Sequence, residues 1–271
     1  MTLSDPAPPQ PTQRPESRLA MQGRVLFALV MREMATRYGR SSGGYVWAIL
    51  DPAATIALLS FVFSQIARTP PLGHSFPLFF ATGYMAFHIY RDVSDQVSNS
   101  IQVNVALLSF PRVTLLDTVL ARFILQVMTA TLAATLIIGA LVFWSGDTVA
   151  LDFGAILLSV GLAALLALGV GALNCVLFAY SQTWKRAFSL LNRPLFIISG
   201  IFMLYEAVPA GAQAVLWWNP LVHVTALMRA GFYPTYEPTF VSPVYVMLFA
   251  LAPLALGVLL LRVLKARMLD Q

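Results

Sequence analysis

The chain has 271 residues, of which 58% are hydrophobic and 11% charged, with a mean hydropathy of +0.75, a net charge of +5 and a pI near 9.6. A soluble domain carries about a quarter charged residues, so this composition excludes a water-soluble enzyme and a disordered protein. The apolar residues fall in long blocks, which points to a polytopic membrane protein.

Residues 1–17 are polar and proline-rich and lack the apolar core of a secretory signal; they are expected to be a disordered tail. Residues 18–40 hold an apolar run at 25–31 among arginines. As a helix that run covers roughly 10 Å, too short to cross a bilayer, so the segment is expected to lie in the interface with its arginines toward phosphates. A Gly/Ser-rich turn at 39–44 leads into the first long block, 45–67. Asp51 is expected there as a helix N-cap, with Pro52 in the first turn. A second block covers 76–90 and can run on through polar residues. Residues 123–146, 153–184 and 238–261 contain no Asp, Glu, Lys or Arg, and each exceeds the ~20 residues a span requires. A sixth span is expected at 187–205, carrying Arg193-Pro194 near its start.

Two segments fall outside these spans. Val93, Val97, Ile101 and Val105 recur every four residues, with Asp92, Asp95, Gln96, Ser98, Asn99 and Gln102 on the other face. This is an amphipathic helical pattern leading into Asn104 … Phe110-Pro111-Arg112, and it suits a docking element for a soluble partner; a plain surface helix is the alternative. Residues 208–222 are apolar but broken by Pro209, Gly211 and Pro220, and they carry Trp217 and Trp218. A re-entrant pair of short helices near 207–223, on the external face, fits them.

The fold expected is therefore an all-α polytopic membrane protein. It has six transmembrane helices across 41–271, an N-terminal amphipathic interface helix and external re-entrant helices before the last span. With both termini cytoplasmic, all of the seventeen basic residues except Arg68, Arg122 and Arg229 fall on the inner face, as the positive-inside rule requires. Arg122, near the inner start of its helix, is expected to reach back to the interface.

Signals for catalysis are weak. His74, His88 and His223 are far apart, and HExxH, GxSxG and CxxC are absent. The single Cys175 supports neither an intrachain disulfide nor a cysteine-based metal site. Asp51 and Asp117 sit near helix ends, where capping is the plainer role than a proton relay. Neither Lys185 nor Lys265 follows a glycine, so the chain has no phosphate-binding loop of the GxxxxGK type. A transporter built on this chain takes ATP energy only through another polypeptide.

Several of these features, in order, resemble the membrane subunit of type-two ATP-binding-cassette exporters of bacterial surface polysaccharides, most closely capsular-polysaccharide export permeases of the Kps type. They are Arg32-Glu33 … Arg37-Tyr38, Gly44-Tyr45-Val46-Trp47 … Asp51-Pro52, and Asn104 … Leu107-Leu108 … Phe110-Pro111-Arg112. Asn192-Arg193-Pro194 and Trp218-Asn219-Pro220-Leu221 … His223 … Arg229 follow. The resemblance covers residues 20–271.

It implies a multi-pass inner-membrane permease, not itself an enzyme, working as a homodimer with two copies of a cytoplasmic ATPase that holds ATP and Mg. No cofactor on this chain and no nucleic-acid partner are implied. A coupling helix near 99–112 would carry Asn104, Leu107, Leu108, Phe110 and Arg112. The interface helix would carry Arg32, Glu33, Arg37 and Tyr38. Membrane lipids, periplasmic and outer-membrane export components, and a long, often acidic, lipid-terminated glycan are the further partners implied.

A glycan path needs polar groups for sugar hydroxyls and flat rings for sugar faces. Tyr84, His88, Tyr90, Arg91, Trp217, Trp218, Tyr233 and Tyr236 are the candidates, with an interfacial aromatic belt as the alternative role for the Trp and Tyr residues. Export of O-antigen, teichoic acid or a small molecule remains an alternative substrate class. A membrane-embedded glycosyl- or acyltransferase and a secondary transporter are the alternatives of a different kind.

Overall fold

The computed structural model describes residues 18–38, 44–104, 114–145 and 151–269, and among these every regular element is a helix. In chain order they are α1 (Arg18–Tyr38), α2 (Gly44–Ile66), α3 (Phe76–Ser98), α4 (Ser100–Asn104), α5 (Leu115–Ser145), α6 (Phe153–Tyr180) and α7 (Gln182–Ile198). A 3-10 turn (Tyr205–Ala207), α8 (Ala210–Leu216), α9 (Pro220–Phe232) and α10 (Pro243–Leu269) complete the chain.

The helix starts follow from local chemistry. Asp152 accepts from the Gly154 and Ala155 N–H groups at 2.8 and 3.2 Å and opens α6. Ser181 accepts from the Trp184 N–H at 3.1 Å and opens α7. Asn219 caps α9 ahead of Pro220. Thr114 and Asp117 form a reciprocal box at the start of α5: the Asp117 carboxylate accepts from the Thr114 N–H and hydroxyl, and Thr114 Oγ1 accepts from the Asp117 N–H. These side chains satisfy backbone donors that a helix start leaves unpaired.

Close backbone approach builds the core around α6. Gly169 faces the Ala250 carbonyl of α10 and Gly257 of α10 faces the backbone of Leu173, so a Cβ at either position has no room. Gly171 faces Val97 of α3 in the same way. Without a hydrophobic driving force between helices in lipid, small residues of this kind let dispersion contacts and short interaxial distances hold the bundle. Helix α3 is the most enclosed: residues 78–90 are buried without a break. Large side chains on other helices face outward instead, with Phe143 and Trp144 of α5 exposed at 92% and 90%.

Four helices are long and apolar enough to cross a bilayer: Val46–Ile66, Leu115–Ser145, Phe153–Tyr180 and Pro243–Val263. Helix α3 has 23 residues but carries Arg91, Asp92 and Asp95, and α7 has 17 residues with Lys185, Arg186 and Arg193.

Several expectations change. Asp51 is not an N-cap, because α2 begins at Gly44 and holds Asp51 and Pro52 inside the helix. The helix expected at 187–205 stops at Ile198, since Gly200 takes φ +75° and turns the chain back. The polar continuation of α3 is helical to Ser98, breaks at Asn99, and resumes as α4; Val93, Val97 and Ile101 are buried. The 207–223 segment does hold two short helices, but α9 runs on to Phe232.

Arg122 does not reach to water. It is 7% exposed and pairs with Glu33 of α1 at 2.6 Å, and it also donates to the Gln96 carbonyl at 3.4 Å. Arg32 donates to Asn104 Oδ1 at 3.4 Å on the same side of α1. The pair fixes α1 against α5. Removing one partner leaves a buried charge unpaired and costs about 3–5 kcal/mol, whereas removing both together is far milder. Glu33→Gln is therefore expected to lower the unfolding free energy of the detergent-purified protein by about that amount, with the Glu33→Met/Arg122→Met double variant recovering most of it in the same melts.

Candidate functional site

Two polar regions lie at opposite ends of the bundle. At the end formed by the last turns of α3 and α6, α4 and the first turns of α5 and α7 lies a cavity of about 560 Å³. Helix α3 lines it with His88, Arg91, Asp92 and Asp95, which the three- and four-residue spacing places on one face. Helix α7 contributes Lys185, Phe188, Ser189, Asn192, Arg193 and Phe196, again at helical spacing. Asp51 of α2 and Phe178 of α6 complete the wall.

The wall is ordered by hydrogen bonds. Lys185 donates to Asn99 Oδ1 at 2.6 Å and to Gln102 Oε1 at 2.8 Å, and lies 5.8 Å from the Phe178 ring centre. Gln126 of α5 donates to Asp92. Trp184 Nε1 donates to Asn174 Oδ1 at 2.9 Å. His88 stacks on Tyr84 with ring centres 5.6 Å apart. Charges of both signs, amides and three phenylalanine rings suit a polar, hydroxyl-rich ligand that also presents apolar faces. Among the described residues no cluster of His, Cys, Asp and Glu gathers at metal-binding range.

The opposite end is an aromatic and cationic cap over the starts of α3, α6 and α10. Trp217 packs between His223 and Tyr245, at 5.3 and 4.9 Å between ring centres, and its Nε1 donates to the Phe240 carbonyl at 3.2 Å. Arg229 of α9 is 2% exposed. It donates to the carbonyls of Gly200 and Ile201 at 2.6 and 2.8 Å, its guanidinium sits 4.2 Å from the Phe79 ring centre, and it fills the space a Cβ on Gly83 would need. Tyr236 donates to the Glu206 carboxylate at 3.2 Å. Burial, and then the Glu206 charge, push the Tyr236 phenol well above its ordinary range, so it remains a donor.

Residues 24–233, most of the chain, match the ABC-2 type transporter family. The chain belongs to that family. It is 32% identical over 244 residues to the polysialic acid transport protein KpsM of Escherichia coli, covering 89% of this chain and 94% of that protein. It is 32% identical over 241 residues to the capsule polysaccharide export inner-membrane protein CtrC of Neisseria meningitidis, covering 88% and 90%. It is 30% identical over 244 residues to the capsule polysaccharide export inner-membrane protein BexB of Haemophilus influenzae, covering 90% and 92%.

Within this ABC-2 transporter the residues singled out from sequence separate into groups. His88 and Arg91 line the cavity, and Tyr84 lies buried beneath His88. Tyr90 is buried in the core and is not part of the cavity wall. Trp217, Trp218, Tyr233 and Tyr236 belong to the other end; Trp218 is 67% exposed, whereas Tyr233 and Tyr236 are buried, the former against Gly73. Asn104 is buried and bonded to Arg32. Leu107, Leu108, Phe110 and Arg112, and the side chains of Arg37 and Tyr38, lie outside the described residues.

Sequence reasoning missed Asp51, Lys185, Ser189 and Asn192 as parts of one wall. The polar residues 185, 189 and 192 do recur at helical spacing, and that stripe was the available signal.

His223 links the cap to pH. Its Nδ1 accepts from the Ser242 N–H at 3.2 Å, so Nε2 carries the proton and donates to the Trp217 carbonyl at 2.8 Å. Burial holds its pKa below the ordinary value. The neutral ring contributes stability that is complete above the unfolded value of about 6.5 and is lost as pH falls from there through the lowered folded value. The melting temperature is expected to decline across that window, and His223→Gln to flatten the decline in a pH series of thermal melts.

Proposed function

We propose that this chain is the membrane subunit of an ATP-driven exporter that moves capsular polysaccharide across the bacterial inner membrane. The near full-length likeness to two capsule polysaccharide export proteins and a polysialic acid transport protein carries the reading. In it, the chain hydrolyses nothing itself. Two copies pair with two copies of a separate ATPase that binds ATP and Mg, and periplasmic and outer-membrane components receive the glycan.

Six spans are proposed, with α3 and α7 joining the four apolar helices and both termini cytoplasmic. Several observations support this arrangement. Helix α3 is enclosed by protein over 78–90, and Arg91, Asp92 and Asp95 beyond it line the cavity, where they need not meet lipid. Helix α7 buries none of its own residues in the single chain and exposes Leu190, Leu191, Ile197 and Ile198, a face that a second copy would cover. The cavity then opens toward the cytoplasm between α2, α3 and α7, and the aromatic cap, with α8 and α9 dipping back from the external face, closes the other end.

Transport chemistry follows from the walls. A glycan cannot cross hydrocarbon with its hydroxyls unpaired. Asp51, Asp92, Asp95, Asn192 and Ser189 offer acceptors, Arg91 and Arg193 meet acidic groups, and Phe178, Phe188 and Phe196 pack against sugar faces. Residues 99–112 are the proposed ATPase-docking element, and nucleotide-driven closure of the ATPases would shift the pair between two states.

Two outcomes are expected. Deleting the chain abolishes surface glycan while cytoplasmic glycan accumulates, and the tagged chain brings down a separate ATPase. Leu107→Glu or Leu108→Pro abolishes that co-purification while the membrane part keeps its melting temperature; normal co-purification of both variants would overturn the docking assignment.

A further inference from the structure

The corner between α3 and α4 is where one ammonium joins three helices. Asn99 ends α3: its N–H and side-chain NH2 both donate to the Asp95 carbonyl, at 3.2 and 2.8 Å, and its Oδ1 points out of the corner. One helical turn on, Gln102 Nε2 donates to the Phe178 carbonyl in the last turn of α6 at 2.9 Å. Its free amide oxygen and that of Asn99 converge on Lys185 of α7, at 2.8 and 2.6 Å.

Both acceptors are neutral. An ammonium on amide oxygens has directional, charge-assisted bonds without the electrostatic depth of a carboxylate pair, so the bridge can be released and remade. It is also well placed to matter. Helix α7 buries none of its residues. Its far end is held through the Gly200 and Ile201 carbonyls that Arg229 grips. Its near end follows α6 after the single residue Ser181, is bonded to α6 through Trp184 and Asn174, and is held to the α3–α4 corner by Lys185. A displacement of the α3–α4 corner therefore turns the first turn of α7 about its joint with α6, and α7 forms half of the cavity wall.

We propose that the Lys185–Asn99–Gln102 bridge is a positioning device for export, transmitting movement of the α3–α4 corner to the α7 wall. The proposal rests on the exporter reading given above. Lys185 is a positioning residue in it, acting through Asn99 and Gln102.

The test uses the assembled permease–ATPase complex in lipid vesicles, reading ATP hydrolysis and glycan exported per ATP. Gln102 and Asn99 do not line the cavity, so Gln102→Met removes one of the ammonium's two acceptors, together with the bond to Phe178, without touching the substrate path. Bonds to a charged donor are strong enough that about a tenfold fall in glycan exported per ATP is expected for Gln102→Met and for Lys185→Met. The double variant should fall no further than Lys185→Met, in which the Gln102–Lys185 bond is already absent. Lys185→Arg, which keeps donors for both oxygens, should restore export. Asn99→Asp makes an acceptor the ammonium does not release, and should slow hydrolysis and export together.

Full export per ATP in Gln102→Met, or an additive double variant, would overturn the bridge and leave Lys185 as a substrate contact. So would a Lys185→Arg variant as impaired as Lys185→Met. If Lys185→Met fails to fold, Gln102→Met and Asn99→Asp decide the matter alone. Absence of any ATPase bound to the wild-type chain would instead defeat the exporter reading itself.

Discussion

Charged side chains persist inside an apolar helical bundle only where protein groups replace the water they have lost. Three buried or half-buried cations among the described residues show three solutions. Arg122 meets a carboxylate, Glu33, on another helix. Lys185 meets two neutral amide oxygens. Arg229 meets backbone carbonyls and the face of Phe79. Each solution ties together elements far apart in sequence, so the same requirement that stabilises the charge also fixes the arrangement of helices.

The apolar framework makes those contacts possible. Glycines of α6 and α10 bring backbones close enough for α3 to be enclosed on most of its length. An enclosed α3 can carry Arg91, Asp92 and Asp95 in its last turns because those residues face the cavity. Helix α7 is the opposite case. It is amphipathic, lines the cavity with its polar stripe, and leaves Leu190, Leu191, Ile197 and Ile198 uncovered. The two helices thus give the cavity one wall buried within the bundle and one whose outer face is uncovered.

Arg229 illustrates how the far end is secured. The chain turns back at Gly200, where φ is +75°, and the carbonyls freed by that turn have no helical partner. The guanidinium supplies donors to them, and Gly83 leaves room for it beside α3. Tyr236 and Glu206 form a hydrogen-bonded pair across the neighbouring loops. The cap is therefore a hydrogen-bonded plug with aromatic packing around it, in which Trp217 and His223 join the start of α10 to α9.

The sequence by itself determined the membrane class and the four long apolar helices, because hydrocarbon thickness and helical rise set a length that composition alone reveals. It also showed that the chain has no GxxxxGK phosphate-binding loop, because such a loop is a local pattern. Its reading of residues 187–205 and of Asp51 failed, because helix ends depend on single backbone conformations, such as that of Gly200, and on neighbours rather than on hydropathy. Which polar residues share a wall was decided only by the tertiary structure. Asp51, His88 and Lys185 lie on three helices, and their meeting follows from how α6 packs its small residues against α3 and α10, a long-range outcome that no local window contains.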